Sequence, residues 1–168
     1  ATAQDFAQFA LQRQPAVRAA LTALGDSVVR LRGPGGSVLY DVPDGPIPDD
    51  DTPAPPRLLP MWDSILLAYA DRSRVIPEQH RRVVIRSNGD VLPTLLVDGH
   101  VAGVWRPLDG RIEATALERL SDEAWAGLET EAAALLGLIG ARDARVYSRY
   151  ARWWERLPPG LEVRPIGG

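Results

Sequence analysis

The stretch SNGDVLPTLLVDGHVAGVWRPLDGR, residues 87–111, decides the fold. Three turn dipeptides punctuate it: Asn88-Gly89, Asp98-Gly99 and Asp109-Gly110. Asn-Gly and Asp-Gly accept the positive φ angles that tight hairpin turns demand, so each reads as a strand reversal. Between them lie Val, Leu, Trp and Thr, which suit a pleated, half-buried surface. The spacing predicts strands at about 91–97, 100–106 and 111–117, and Ile112, Ala114 and Ala116 alternate as a strand with one buried face should. The result is a compact antiparallel meander with arginines on both flanks.

Working outward, the segment before the meander is ambiguous. Pro77-Glu78 looks like a helix start, whereas RRVVIRS ahead of Asn88-Gly89 looks like a strand entering a hairpin. Further upstream, Asp63 or Ser64 caps a short predicted helix through Tyr69. After the meander, Ser121 caps a long helix over 122–138, with Trp125, Leu128, Leu135 and Leu138 among its apolar positions. A last helix is predicted over 141–157, stopped by Pro158-Pro159.

At the other end, Thr2 and Asp5 form a capping-box pattern that opens a helix bearing Phe6, Phe9 and Ala10 on one face. Gln14-Pro15 starts a second helix with Val17, Ala20, Leu21 and Leu24 as its stripe and Gly25 as its end. SVVRLR, GPGG and SVLYD (27–41) then read as a hairpin. Two short helices and a hairpin make the tail of a winged helix, whose first helix would lie before Ala1. Residues 43–60 hold seven prolines and the acidic run 49–51, a composition suited to an extended linker. The expected organisation is therefore α+β. A partial winged helix (1–42) and a linker (43–57) precede a small antiparallel β-barrel-like meander flanked by helices (58–157), and a tail (158–168) follows.

Composition narrows the function. The chain has 168 residues, 45% of them hydrophobic, enough for a real core, and its net charge of −3 gives no global field for nucleic acid. Any basic surface must be local. All 19 basic residues are arginine, which fits either GC-biased codon usage or selection for bidentate phosphate contacts. Without cysteine, disulfides and thiolate chemistry are excluded, and a reducing cytoplasm is the expected compartment. The longest apolar run, 132–139, is too short to span a membrane. The only methionine is Met61 and a helix opens at once, so the chain reads as a piece cut from a longer protein.

Three groups of residues could contact DNA. The predicted second helix offers Gln14, Arg18 and Thr22. Arg72, Arg74, Arg81, Arg82 and Arg86 with His80 are opposed only by Asp71 and Glu78; they either grip phosphates or form a solvated face. Arg142, Arg145, Arg149, Arg152 and Arg156 make one stripe if 141–157 is helical, interleaved with Tyr147, Tyr150, Trp153 and Trp154. Those aromatics stack on bases or dock the helix. His80 and His100 are far apart in sequence and 49–51 lacks calcium-loop spacing, so no metal is expected. No Gly-rich loop matches a phosphate or dinucleotide fingerprint, so no cofactor is expected either. No catalytic signature is visible.

LLPMWDSILLAYADRSRVI (58–76) followed by NGDVLPTLLVDGHVAGVWR (88–106) resembles the C-terminal part of bacterial winged helix DNA-binding domain-containing proteins. That family includes DNA glycosylases that excise alkylated bases and unhook interstrand crosslinks. The resemblance rests on Leu59–Asp63, Asp71–Ser73, Val91–Pro93 and Val101–Arg106, and covers most of 2–140. It implies stacked winged helices against a β-barrel-like domain, with the meander as a wall of a DNA-facing channel. It also implies a glutamine-aliphatic-glutamine or glutamine-aliphatic-aspartate catalytic motif in the missing N-terminal half. Gln12-Arg13-Gln14 has a charged centre and lies in the wrong module, so catalysis is not carried onto it.

The expected partner is double-stranded DNA, damaged or intact, held by Arg18, Arg72, Arg74, Arg81, Arg82, Arg106, Arg145 and Arg149, with Trp105 as either core or wedge. A winged-helix transcriptional regulator and a scaffold without a nucleic-acid role remain as alternatives.

Overall fold

The computed structural model describes residues 1–139, 152 and 159–168. The fold is mixed α+β with two antiparallel sheets. The chain divides into two compact units, Ala1–Thr52 with Ser64–Arg72, and Pro53–Asp63 with Ser73–Gly168. The polypeptide passes between the units at each of these boundaries, so the proline-rich stretch is followed by two more passages.

In the smaller unit, α1 (Ala3–Phe9) begins at a complete capping box. The Thr2 hydroxyl accepts from Asp5 N at 3.1 Å, and the Asp5 carboxylate accepts from Thr2 N at 2.8 Å. Asp5 has a second duty, because its other oxygen accepts from Ala70 N at 2.9 Å. Gln8 donates to the carbonyls of Leu67 and Tyr69, so α1 also holds the turn after α3 (Ser64–Leu67). Pro15 sits in the first turn of α2 (Gln14–Leu24), where a missing N–H costs nothing. Ala7, Val17 and Leu21 form a hydrophobic cluster in this unit, with Tyr40 packed against it from the hairpin of β1 (Val29–Arg32) and β2 (Val38–Asp41). Ala1 exchanges both backbone hydrogen bonds with Tyr40, at 3.0 and 2.8 Å.

The larger unit is built on one antiparallel sheet in the order β3 (Arg57–Leu59), β4 (Thr94–Val97), β5 (His100–Leu108), β6 (Arg111–Ala116), β7 (Glu162–Ile166). The meander lies where the turn dipeptides put it. Asp98 and Asp109 have φ of +49° and +50°, and Gly99 and Gly110 of +77° and +75°, the double positive φ of a type I′ turn. Among the described residues no pairing joins β3 to β7, so the sheet is open rather than a closed barrel.

Asn88-Gly89 behaves differently. Residues 78–84 form a helix, α4 (Glu78–Val84), and the strand reading of that segment fails. His80 and Val84, four apart, are both buried, a spacing that a helix satisfies on one face and that leaves Arg82 exposed. Only Ile85 pairs across, with Val91, and Arg86 N donates to Asp90 O around a three-residue loop in which Gly89 has φ +88°.

Helix α5 (Asp122–Ile139) is capped by the Ser121 hydroxyl, which accepts from Ala124 N at 3.1 Å. Its buried face, Ala124, Trp125, Leu128 and Ala132, covers Leu58, Leu95, Trp105, Ile112, Ala114, Ala116 and Ile166 of the sheet. Two features depart from the sequence reading. Arg57, assigned to the linker, opens β3, and residues 162–166, assigned to a tail, form β7. The Trp125 indole donates to Glu162 at 3.2 Å, Arg164 lies 4.5 Å over the Trp125 ring, and Glu129 accepts from Gly167 N at 2.9 Å. These contacts staple β7 to α5 and explain why a segment with little strand signal is ordered. The helix expected over 141–157 lies outside the described residues.

Gly103 lies in close contact with both neighbouring strands of the sheet. A Cβ there would meet the Thr115 carbonyl oxygen at 2.4 Å and Leu95 Cδ1 at 2.7 Å. Gly103→Ala should therefore cost about 1–3 kcal/mol through overpacking, seen as a lower urea midpoint.

Asp5 yields a second expectation. Burial raises its pKa, but the hydrogen bonds from Ala70 and Thr2 outweigh burial and leave it lowered. A lowered folded pKa means that the stabilisation is complete above the ordinary value of 3.8 and is lost as pH falls through the folded value. Asp5→Asn should lower the melting temperature at pH 7, with the gap to wild type closing in acid.

Candidate nucleic-acid interface

The cations divide into those the fold uses and those it leaves at the surface. In the larger unit, Arg106 on β5 faces Glu113 on β6 in register, and its Nε donates to the carboxylate at 2.7 Å. Both side chains are more than half buried. Arg164 is paired with Glu162 at 2.6 Å and Arg57 with Glu131 at 3.6 Å. His80, on the buried side of α4, contacts Glu118 at 3.2 Å and helps fix that helix. The Arg57, His80 and Arg106 contacts join separate segments of the chain, whereas Arg164 and Glu162 pair within β7.

Arg74, Arg81 and Arg82 make no ion pair among the described residues. Arg82 and Arg74 are exposed and Arg81 is partly so. Arg81 and Arg82 stand in the last turn of α4, where cations complement the carbonyl end of a helix. The alternation that buries His80 and Val84 turns Arg82 outward, so the local helical period creates this cationic edge. One residue past the helix C-cap, Arg86 is partly buried, and burial lowers its pKa. Its guanidinium still carries charge at neutral pH. Helix α4 lies against β5, so a rigid sheet carries the patch rather than a loop.

In the smaller unit, Arg18 is exposed on α2 and reaches only Gln14, at 3.5 Å. Arg72 donates to the Tyr69 carbonyl at 3.2 Å. Sequence reasoning passed over Arg30 and Arg32, both exposed on β1. Arg30 lies 6.0 Å above the Tyr40 ring, opposite it in register. The alternating Arg-Leu-Arg of the hairpin was the available signal. Arg145 and Arg149 lie outside the described residues. Trp105 is 1% exposed and its indole donates to the Leu59 carbonyl at 2.9 Å, so it is core and not a wedge.

A shallow cleft of about 250 Å³ is lined by Leu108, Asp109, Arg111, Glu113, Val163 and Pro165. Its volume is below the ~300–1,000 Å³ usual for small-molecule sites, and it contains no convergent titratable pair. Among the described residues no group of three or more His, Asp or Glu could hold a metal ion, and no helix is long and apolar enough to cross a membrane. The chemistry on offer is an arginine surface suited to phosphate oxygens.

Comparison with known proteins gives a consistent family. The family model described as DNA glycosylase AlkZ-like matches residues 1–138. Among solved structures, the Streptomyces sahachiroi DNA glycosylase AlkZ is similar at a TM-score of 0.62 and 26% identity. The match covers 79% of this chain and 37% of that one, so the chain spans little more than a third of the solved relative's length. No curated protein sequence matches.

The Arg106–Glu113 pair can be separated from the exposed arginines by measurement. A double-mutant cycle with Arg106→Ala and Glu113→Ala should give a coupling of about 0.5–1 kcal/mol in urea unfolding, as cross-strand opposite charges do.

Proposed function

The chain belongs to the AlkZ-like family of DNA glycosylases, and from that premise we propose that it is a DNA-gripping portion of such a repair enzyme. An enzyme that acts on a base within a duplex must open or bend the duplex, which calls for a broad hold on the backbone beside the reacting pocket. The observation that carries this reading is the pair Arg81, partly exposed, and Arg82, exposed, at the end of α4 and engaged in no ion pair among the described residues. Arg74 is a further exposed arginine in the same unit. Arginine at such a place offers bidentate hydrogen bonds to phosphate, and each contact releases counterions.

In this reading α1, α2 and the β1–β2 hairpin are the later part of a winged helix, with Arg18 on its recognition helix. The succession of two helices and a Gly-rich hairpin supports it. The meander is a wall of a barrel-like, DNA-facing surface. Arg72 adds a phosphate contact, while Arg106 serves the sheet first through Glu113. Arg145 and Arg149 continue the grip along the chain. The reacting groups belong to the N-terminal half of the parent protein, in the cytoplasm, and this chain acts on double-stranded DNA without catalysing on its own.

Fluorescence anisotropy against intact and abasic duplexes across a salt series tests the proposal. Each lost phosphate contact should reduce the slope of log K against log salt by about 0.9, so Arg81→Ala/Arg82→Ala should flatten it by about 2. Arg145→Ala/Arg149→Ala reports on the second set, and Arg106→Ala should leave the slope near wild type. Binding confined to one duplex sequence would favour a transcriptional regulator. An absence of salt-dependent binding would leave the chain a scaffold.

A further inference from the structure

Trp62 is the point in the larger unit where backbone and exposure are both unusual. Its φ is +54°, a region bulky residues rarely occupy. Three of the other four non-glycine residues with positive φ are aspartates, which tolerate that region. Its side chain is nevertheless 41% exposed. Strain retained at an exposed residue points to a use at the surface.

Its position adds to this. The backbone N–H of Trp62 donates to Val91 O at 3.3 Å. Val91 bridges to Ile85, and Leu92 N donates to Val84 O at 3.0 Å. Trp62 is thus joined, through Val91 and Leu92, to the end of α4 that carries Arg81 and Arg82. The neighbouring Asp90 carboxylate accepts from the Asn88 amide at 2.9 Å, while Asn88 Oδ1 accepts from Asp90 N at 3.1 Å. The acid beside the patch is therefore tied into its own loop.

We propose that Trp62 is a stacking residue for an unstacked nucleobase, working beside the phosphate grip of α4. The proposal rests on the DNA-gripping reading above. In an intact duplex both faces of each base are covered by neighbours, so an indole finds no partner. An abasic gap, a displaced base or a single strand uncovers a π-face on which it can stack. The arginines bind any backbone, and Trp62 supplies the preference for a distorted one. Selectivity and salt dependence are then carried by different residues.

The test uses the full chain and three labelled probes: an intact duplex, an abasic duplex with 2-aminopurine opposite the gap, and a single strand. Trp62→Ala should weaken the abasic and single-strand probes about tenfold, the scale of one base stack, while intact-duplex affinity and the salt slope stay near wild type. Trp62→Phe should restore most of the loss. The 2-aminopurine fluorescence should be quenched by wild type and Trp62→Phe but not by Trp62→Ala, with thermal melts showing that each variant is folded. Equal binding of all probes by Trp62→Ala and wild type overturns the stacking role and leaves the grip standing. A flattened salt slope in Trp62→Ala overturns it too, since the residue would then act only by placing arginines. If wild type binds no probe, the grip and the stacking role fall together.

Discussion

The close approach at Gly103 is the constraint on which the larger unit depends. With no side chain at that position, β5 lies against Leu95 of β4 and Ala116 of β6 at a spacing that a methyl group would not allow. On the same sheet Trp105 reaches the Leu59 carbonyl, and α5 settles across β3, β6 and β7 with Trp125 and Leu128 beneath it. On β5 itself, residues 101–105 are buried throughout, as in a strand covered on both faces. Helix α4 is held against this strand, so the position of its arginines follows from the packing of β5.

Electrostatics then separates structure from surface. With a net charge of −3, the protein has carboxylates enough to neutralise its arginines, yet it does so selectively. Arg57 and Arg106 meet carboxylates across elements and tighten the sheet and its helix, while Arg164 meets Glu162 within β7. Arg74, Arg81 and Arg82 form no ion pair among the described residues. A charge distribution of this kind puts a local cationic edge on an acidic protein, and local charge is what a polyanion senses within a Debye length of about 8 Å at physiological salt.

The smaller unit achieves order by other means. Ala7, Val17 and Leu21 form a small cluster with partly buried neighbours, and Leu66 of α3 is fully buried as well. Polar contacts supplement it. Asp5 serves both its own helix start and the backbone at Ala70, Gln8 holds two carbonyls after α3, and Ala1 extends the hairpin beside Tyr40. The apolar side chains Phe6, Phe9 and Leu11 remain exposed.

What the sequence determined by itself was local. Asp98-Gly99 and Asp109-Gly110 specify their turns because few residue pairs accept two positive φ angles. Thr2 with Asp5, Pro15 and Ser121 mark helix starts because orphan N–H groups need those partners, or in proline's case are absent. Tertiary structure decided the rest. Residues 78–84 carry helix and strand signals together, and burial of His80 and Val84 against the sheet selects the helix. Residues 162–166 become β7 only because β6 offers an edge and Trp125 and Glu129 hold the strand there. The arginines were all legible as cations. Which of them meet a carboxylate depends on strand register and helix placement, distances that no linear spacing contains.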